Sequence, residues 1–227
     1  MNALKLIGVL LDYPRDEWWQ HRAELLAATA QTGLPEGGQR GLAGFVEMLL
    51  GTDVLSAQDA WLSTFDRGRS MSLLLFEHIH GESRDRGQAM VDLIETYRRN
   101  GFELAAKELP DYLPLVLEYL AHRPIEEVRD WLSHISHIVG LLAARSLERQ
   151  SPYAVLFELL LAQADGKVDI EVLRRSASQE SRDDTPDAMD RLWEEESVRF
   201  GAEAPAENCS PNGARHVQPD ASRTVHP

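Results

Sequence analysis

Apolar residues recur at three- and four-residue intervals through most of this chain, and no stretch alternates apolar with polar residues for long enough to make a half-buried strand. That period predicts an all-α fold, each helix burying one stripe against its neighbours. Leu4, Ile7, Leu10 and Leu11 open a first helix, which Tyr13-Pro14 ends because a residue preceding proline avoids the α region. A second follows through Trp18, Trp19, Leu25 and Leu26. Gly37-Gly38 and Gly51 bracket a third carrying Leu42, Phe45, Val46 and Leu49, and Ser56 with Asp59 reads as the capping pair of a fourth bearing Trp61, Leu62 and Phe65.

Downstream, the spacing predicts a helix over Leu73 to His80 and one from Ser83 to Gly101. Others run from Asp111 to about His122, from Pro124 through Leu142, and from Ser151-Pro152 through Leu160. Asp165-Gly166 makes a turn, and a last helix runs from Thr185-Pro186 to Phe200. No fixed-period repeat is present, so a compact multi-helix bundle is expected rather than a solenoid. Residues 1–202 are expected to form one helical domain. Residues 203–227, rich in Pro, Ala, Ser and Asn without period, read as a disordered tail.

Charge narrows the partners. With 37 acidic against 23 basic residues and a formal net charge of −14, a broad grip on nucleic acid or anionic lipid is excluded, whereas a cationic peptide would be drawn in. Cys209 is the only cysteine, so neither an intrachain disulfide nor a four-thiolate cluster can be built from this chain. Met1 to Leu11 lack a secretory cleavage site, and no run reaches the ~18 apolar residues that span a bilayer. A cytoplasmic protein without membrane insertion is the expectation.

Residues that could carry chemistry are sparse. His134 with His137, and His78 with His80, have metal-ligand spacing, but neither pair has a matching set of partners; a small helical metalloenzyme is therefore a minor alternative, and packed or surface histidines fit the spacing as well. Asp111, Glu118 and His122 would line one helix face, either as acid–base groups or as a solvated stripe. No nucleophile elbow, phosphate loop or dinucleotide fingerprint accompanies them, so no catalytic residue, no metal and no cofactor is assigned, and the chain reads as a non-enzyme. Aromatic residues near turns, including Trp61, Phe65 and Tyr112, together with the acids Asp66, Glu77, Asp111 and Glu118, suit a groove that accepts a basic amphipathic helix.

Several segments then resemble the nitrate reductase delta subunit family of NarJ-type assembly chaperones, within the wider helical family that includes TorD and DmsD. They are Leu10-Leu11-Asp12-Tyr13-Pro14, Phe65-Asp66, the run from Leu73 to Met90 containing Phe76-Glu77-His78-Ile79-His80-Gly81-Glu82-Ser83-Arg84-Asp85-Arg86-Gly87, Glu108-Leu109-Pro110-Asp111-Tyr112-Leu113-Pro114, Glu118-Tyr119-Leu120, and Trp193-Glu194-Glu195 with Val198-Arg199-Phe200. The resemblance implies a TorD-like helical bundle that binds the N-terminal segment of the apo catalytic subunit of a respiratory nitrate reductase and holds it ready for molybdenum cofactor insertion. It also implies contact with molybdenum cofactor delivery proteins. The alternative is a chaperone of the same fold serving a sulfoxide or amine-oxide reductase through a twin-arginine leader.

In the wider family an acidic Pro-Asp-His segment lies near the peptide groove; here it is Pro110, Asp111 and Tyr112, the tyrosine being unable to titrate near neutral pH. The expected site therefore has apolar anchors inserting among Trp61, Phe65, Phe76 and Tyr112, beside Pro110. Glu77, Asp111 and Glu118 are expected to meet basic groups. Asp66 and Arg86 are expected to form an internal ion pair that fixes helix register.

Overall fold

The computed structural model describes residues 3–80, 85–104, 108–164 and 168–191. Eleven α-helices and one 3-10 turn account for its regular structure. They are α1 (Ala3–Leu11), α2 (Glu17–Gln20), α3 (Arg22–Ala30), α4 (Glu36–Leu49), α5 (Val54–Phe65), the 3-10 turn Arg69–Met71, α6 (Leu75–His80), α7 (Asp85–Arg99), α8 (Leu113–Leu120), α9 (Ile125–Glu148), α10 (Ala154–Leu161) and α11 (Ile170–Ala177). The only β-type pairing among the described residues is a single antiparallel bridge between Leu74 and Tyr112. The all-helical expectation holds, and residues through Asp190 pack as one unit.

Two short helices form the centre because they are apolar nearly all round. α1 buries Leu4, Leu6, Ile7, Leu10 and Leu11, and α8 buries Leu113, Pro114, Val116, Leu117, Tyr119 and Leu120. Each such side chain contributes ~1.5–3 kcal/mol relative to exposure. The two lie against each other, and Gly8 sets how closely. A Cβ there would come within 3.0 Å of the Pro114 carbonyl oxygen and 3.3 Å of Leu117 Cβ. α9 is the long spine, burying Val128, Leu132, Ile135, Ile138, Val139 and Leu142, with α10 and α11 packed along it. Gly140 admits α11, since a Cβ at that position would meet Leu173 and Val168 at 2.8 Å.

Several local expectations are revised. The second predicted helix is broken at His21, whose φ of −104° and ψ of 28° lie outside the helical region. α4 starts at Glu36, before the glycine pair, and Gly38 sits against Leu159 and Leu34. The cap of α5 is Asp53, which accepts from the Ser56 N–H at 3.0 Å and the Ser56 hydroxyl at 2.6 Å. α8 begins at Leu113 rather than Asp111, because Pro114 has no N–H and fits only the first turn. α11 was not predicted; Asp169 caps it by accepting from the Val172 N–H at 3.1 Å. The Asp165-Gly166 turn, Ser83, the last helix beyond residue 191 and the 203–227 tail lie outside the described residues.

Candidate functional site

The residues selected from sequence fall into three environments. Phe65 is interior, 5% exposed, in an aromatic cluster with Tyr153 at 4.8 Å, Trp61 at 5.6 Å and Phe157 at 6.3 Å between ring centroids. It supports the core and offers no face to a peptide, a correction to its expected role. Trp61 is half-buried. Its indole N–H donates to the Leu11 carbonyl at 2.8 Å, and Tyr13 meets it edge-on, so it clamps the end of α1 to α5. Pro110 is buried, and its carbonyl accepts from the Tyr97 hydroxyl at 2.8 Å.

Asp111 departs most from expectation. Read as a rim acid, it is instead fully buried at 0% exposure, because the Leu73–Phe76 segment crosses the 111–113 segment. Leu75 N–H donates to the Asp111 carbonyl at 3.0 Å, and Leu113 N–H to the Leu73 carbonyl at 2.8 Å. Asp111 Oδ2 accepts from the Phe76 N–H at 2.9 Å, while Oδ1 has no hydrogen-bond partner among the described residues. Burial pushes its carboxyl above the ordinary carboxylate range, against the opposing pull of the Phe76 N–H and the positive charge of Arg86. The Asp111, Glu118 and His122 stripe therefore does not exist, since Asp111 precedes the helix and points inward.

The Asp66–Arg86 pair is not formed. Asp66 caps the end of α5 in solvent, and Arg86 instead approaches Glu77 at 3.4 Å, both being about a quarter exposed. Pairing with Glu77 ties α7 to α6, the register role assigned to the wrong carboxylate.

Tyr112 and Glu118 line one cavity. Two adjoining cavities run along the outer side of α8, one of about 130 Å³ and one of about 270 Å³, with Glu108, Leu115 and Glu118 common to both. The smaller lies between α8 and α1, floored by Gly8, Val9, Pro114 and Tyr112, with Lys5, Asp12 and Arg15 around it. The larger lies between α8 and residues 102–104 and 108, with Tyr97, Phe102, Leu104, Tyr119 and His122 in its walls. Tyr112 closes the α1 side by donating to Asp12 Oδ1 at 3.0 Å. Burial and the neighbouring Asp12 charge push its phenol well up, so it stays a neutral donor. Asp12 also holds Arg15 at 2.7 Å.

The arrangement is an apolar trough with an acidic excess, able to hold an amphipathic segment by packing and by charge but lacking any nucleophile and base in register. Most of its lining went unrecognised in the sequence, namely Val9, Phe102, Glu103, Leu104, Glu108 and Leu115. A signal existed on α8 itself: within Leu113 to Leu120, only Leu115 and Glu118 escape burial, three residues apart on one side.

Two of the four histidines make local bonds, and the His80 side chain lies outside the described residues. His134 and His137 are exposed, His134 Nδ1 lying 2.7 Å from the Asp130 carbonyl, and His78 Nε2 lies 2.8 Å from the Ser72 carbonyl. Burial lowers the His78 pKa, against the opposing hydrogen bond to Ser72. Among the described residues no three His, Cys, Asp or Glu side chains gather to hold a metal, and no helix is long and apolar enough to cross a membrane.

A second polar cluster joins the 178–184 segment to α9 and the 3-10 turn. Arg145 pairs with Glu180 at 2.7 Å and donates to the Ser70 carbonyl at 2.7 Å. Arg149 approaches Asp183 at 3.2 Å, and its Nη1 lies 3.6 Å from Asp184, a charge contact without a hydrogen bond. Asp183 also accepts from the N–H and hydroxyl of Ser70, at 2.7 and 2.6 Å. Every charge here is matched, so the cluster clasps the fold rather than awaiting a ligand.

Comparison with known proteins adds a second line of argument. The family model for the nitrate reductase delta subunit matches residues 31–158. Over 204 residues, 89% of this chain and 86% of the relative, the sequence is 48% identical to the nitrate reductase molybdenum cofactor assembly chaperone NarJ of Escherichia coli strain K12. It is 40% identical over 227 residues, all of this chain and 95% of the other, to the probable nitrate reductase molybdenum cofactor assembly chaperone NarW of the same strain. Over 156 residues, 69% of this chain and 84% of the relative, it is 33% identical to the probable nitrate reductase molybdenum cofactor assembly chaperone NarJ of Bacillus subtilis strain 168. A crystal structure of a putative redox enzyme maturation protein from Archaeoglobus fulgidus shares the fold, with a TM-score of 0.50 at 21% identity, covering 70% of this chain and 90% of that one.

Proposed function

Because the chain belongs to the nitrate reductase delta subunit family, we propose that it is an assembly chaperone for a respiratory nitrate reductase. It binds the apo catalytic subunit through that subunit's N-terminal segment, holds it competent for molybdenum cofactor insertion, and catalyses no reaction itself. The observation that carries this reading is 48% identity to the Escherichia coli NarJ chaperone across 89% of this chain. The trough along α8 supports it physically. An amphipathic segment laid there buries its apolar side on Val9, Pro114 and Leu115 and meets carboxylates at the rim.

Holding by packing and charge explains how such a protein can release its client without chemistry. Exposed carboxylates contribute modest, salt-sensitive attraction, and the apolar floor contributes the rest. Client folding around an inserted cofactor withdraws the segment, and the complex dissociates. The proposed compartment is the cytoplasm, with no insertion into a membrane, and cofactor delivery proteins are the proposed further partners.

The test is calorimetric titration of the purified protein with a synthetic peptide copying the N-terminus of the cognate catalytic subunit, at low and high salt. Saturable binding that weakens with salt is the expected result. Failure to bind that peptide, with binding instead to a twin-arginine leader from a sulfoxide or amine-oxide reductase, would reassign the client.

A further inference from the structure

The larger cavity differs in make-up from the rest of the trough. Part of its wall is aromatic: Phe102 meets Tyr119 edge-on with centroids 5.3 Å apart, and His122 lies 5.6 Å from Phe102. The two tyrosine hydroxyls are already engaged. Tyr97 donates to the Pro110 carbonyl, and Tyr119 donates to Glu127 Oε1 at 3.2 Å while accepting from Asn100 at 3.0 Å. Both tyrosine rings are 2% exposed, and Arg123 already lies over Tyr119 at 5.6 Å, so what remains for a guest is the half-buried Phe102 ring and His122 together with three exposed carboxylates, Glu103, Glu108 and Glu118. No described cation lies within ion-pair distance of any of the three, although carboxylates elsewhere on this surface, such as Glu95, Glu127 and Glu148, hold an arginine.

Ring surface beside unpaired carboxylates is the chemistry that receives an organic cation: the carboxylates supply charge, and the aromatic faces replace the water the cation sheds. A guanidinium suits such a place better than an ammonium, being planar, more weakly hydrated and able to stack. At about 270 Å³ the space is at the small end for ligand sites, fitting one long side chain rather than a folded cofactor. An anion is repelled from it.

We infer that this cavity is the receiving subsite for one cationic side chain, arginine ahead of lysine, of the client segment. The inference rests on the client-binding reading above and adds the place and chemistry of one anchor. It also gives the segment a direction. At the α1 end of the trough Lys5 is present and Asp12 is neutralised by Arg15 at 2.7 Å, whereas the Phe102 end adds Glu103 to the shared Glu108 and Glu118 and has no described lysine or arginine in its lining. The segment therefore lies with its apolar side along Val9, Pro114 and Leu115 and its basic part at Phe102.

The experiment pairs changes on both sides. The full-length protein and its Glu118→Gln and Glu103→Gln/Glu108→Gln variants are titrated with the N-terminal client peptide and with copies in which each arginine in turn is citrulline and each lysine norleucine. These glutamates are exposed, so circular dichroism and the melting curve should match the parent. One substituted peptide position is expected to weaken binding by about fivefold to tenfold, and that loss should vanish when Glu118 or the Glu103 and Glu108 pair is already neutral. If all neutralised positions weaken binding alike, with the same loss on every variant, a diffuse field is at work and the subsite is overturned. If the peptide binds every variant as it binds the parent, the subsite is overturned while the client reading stands. If the peptide does not bind the parent, both fall.

Discussion

Truncating Phe65 to alanine separates a core residue from a docking residue more sharply than any other single change. The ring is 5% exposed and touches three other aromatic rings, Tyr153, Trp61 and Phe157. Removing a buried phenylalanine costs roughly 3–5 kcal/mol through lost transfer energy and the cavity left behind. The aromatic pairs each add about 0.5–1.5 kcal/mol to what is lost, so the upper half of that range is expected. The cluster joins α5 to α10 and to Tyr153 just before it, on chain segments that cannot easily collapse into the gap. A domain of this size has on the order of 5–15 kcal/mol in total, so Phe65→Ala should move the urea midpoint far down while leaving the slope unchanged. Phe65→Leu keeps most of the volume and should lose clearly less. Peptide affinity of the still-folded protein should match the parent. A loss below about 1 kcal/mol, or a weakened peptide complex at full stability, would refute the placement of Phe65 in the core.

Three further outcomes follow from the polar interior and the close helix contacts. Asp111 has its carboxyl raised by burial, whereas in the unfolded chain it titrates near 3.8; the folded state thus keeps its proton longer, and stability falls as pH rises from that value through the raised one, then levels. Asp111→Asn keeps an acceptor for the Phe76 N–H and abolishes that fall, so urea midpoints of variant and parent should diverge progressively as pH rises from about 4 through the raised value; a pH-independent difference would contradict it. Asp183 and Asp184 have the opposite sign. Burial raises Asp183, but hydrogen bonds from Ser70 and Arg149 outweigh it, while Arg182 and Arg149 lower Asp184 against a burial penalty, so the stability these groups contribute is present above about pH 4 and lost as pH falls through their depressed values. Hydrogen exchange at residues 178–184 should accelerate first on acidification, and Arg149→Met should reduce that acid sensitivity without abolishing it, since Ser70 and Arg182 still hold the two carboxylates. Gly8→Ala places a methyl 3.0 Å from the Pro114 carbonyl and should cost about 1–3 kcal/mol by overpacking, read as a lower melting temperature.

Most helices were legible because burial imposes a period, and a period survives without any knowledge of partners. Sequence could not say what each stripe faced. Trp61, Leu62 and Phe65 share a side of α5, but that spacing is the same whether the side meets a core or a peptide. Asp111 was misread because an acid near a proline suggests surface, and only the crossing of residues 73–76 over 111–113 encloses it. Arg86 found Glu77 rather than Asp66 because α6 and α7 are adjacent, a tertiary fact. α11 escaped notice since its apolar positions Ile170, Leu173 and Ala177 are diluted by Glu171, Arg174, Arg175 and Ser176, and its stability comes from the Asp169 cap and its seat on Gly140. Of the trough's lining, Tyr112 and Glu118 were among the residues singled out in the sequence, while its other walls come from α1 and from residues 102–104 and 108.

The pairing of α1 with α8 has a consequence during synthesis. α1 is finished at Leu11, yet the helix that covers it begins only at Leu113, about a hundred residues later. At translation rates of roughly 5–20 residues per second, a nearly all-apolar segment waits ~5–20 s on the ribosome before its mate emerges. Throughout that interval its buried stripe has no mate to lie against. The chain thus depends, while it is being made, on α1 being shielded until α8 arrives.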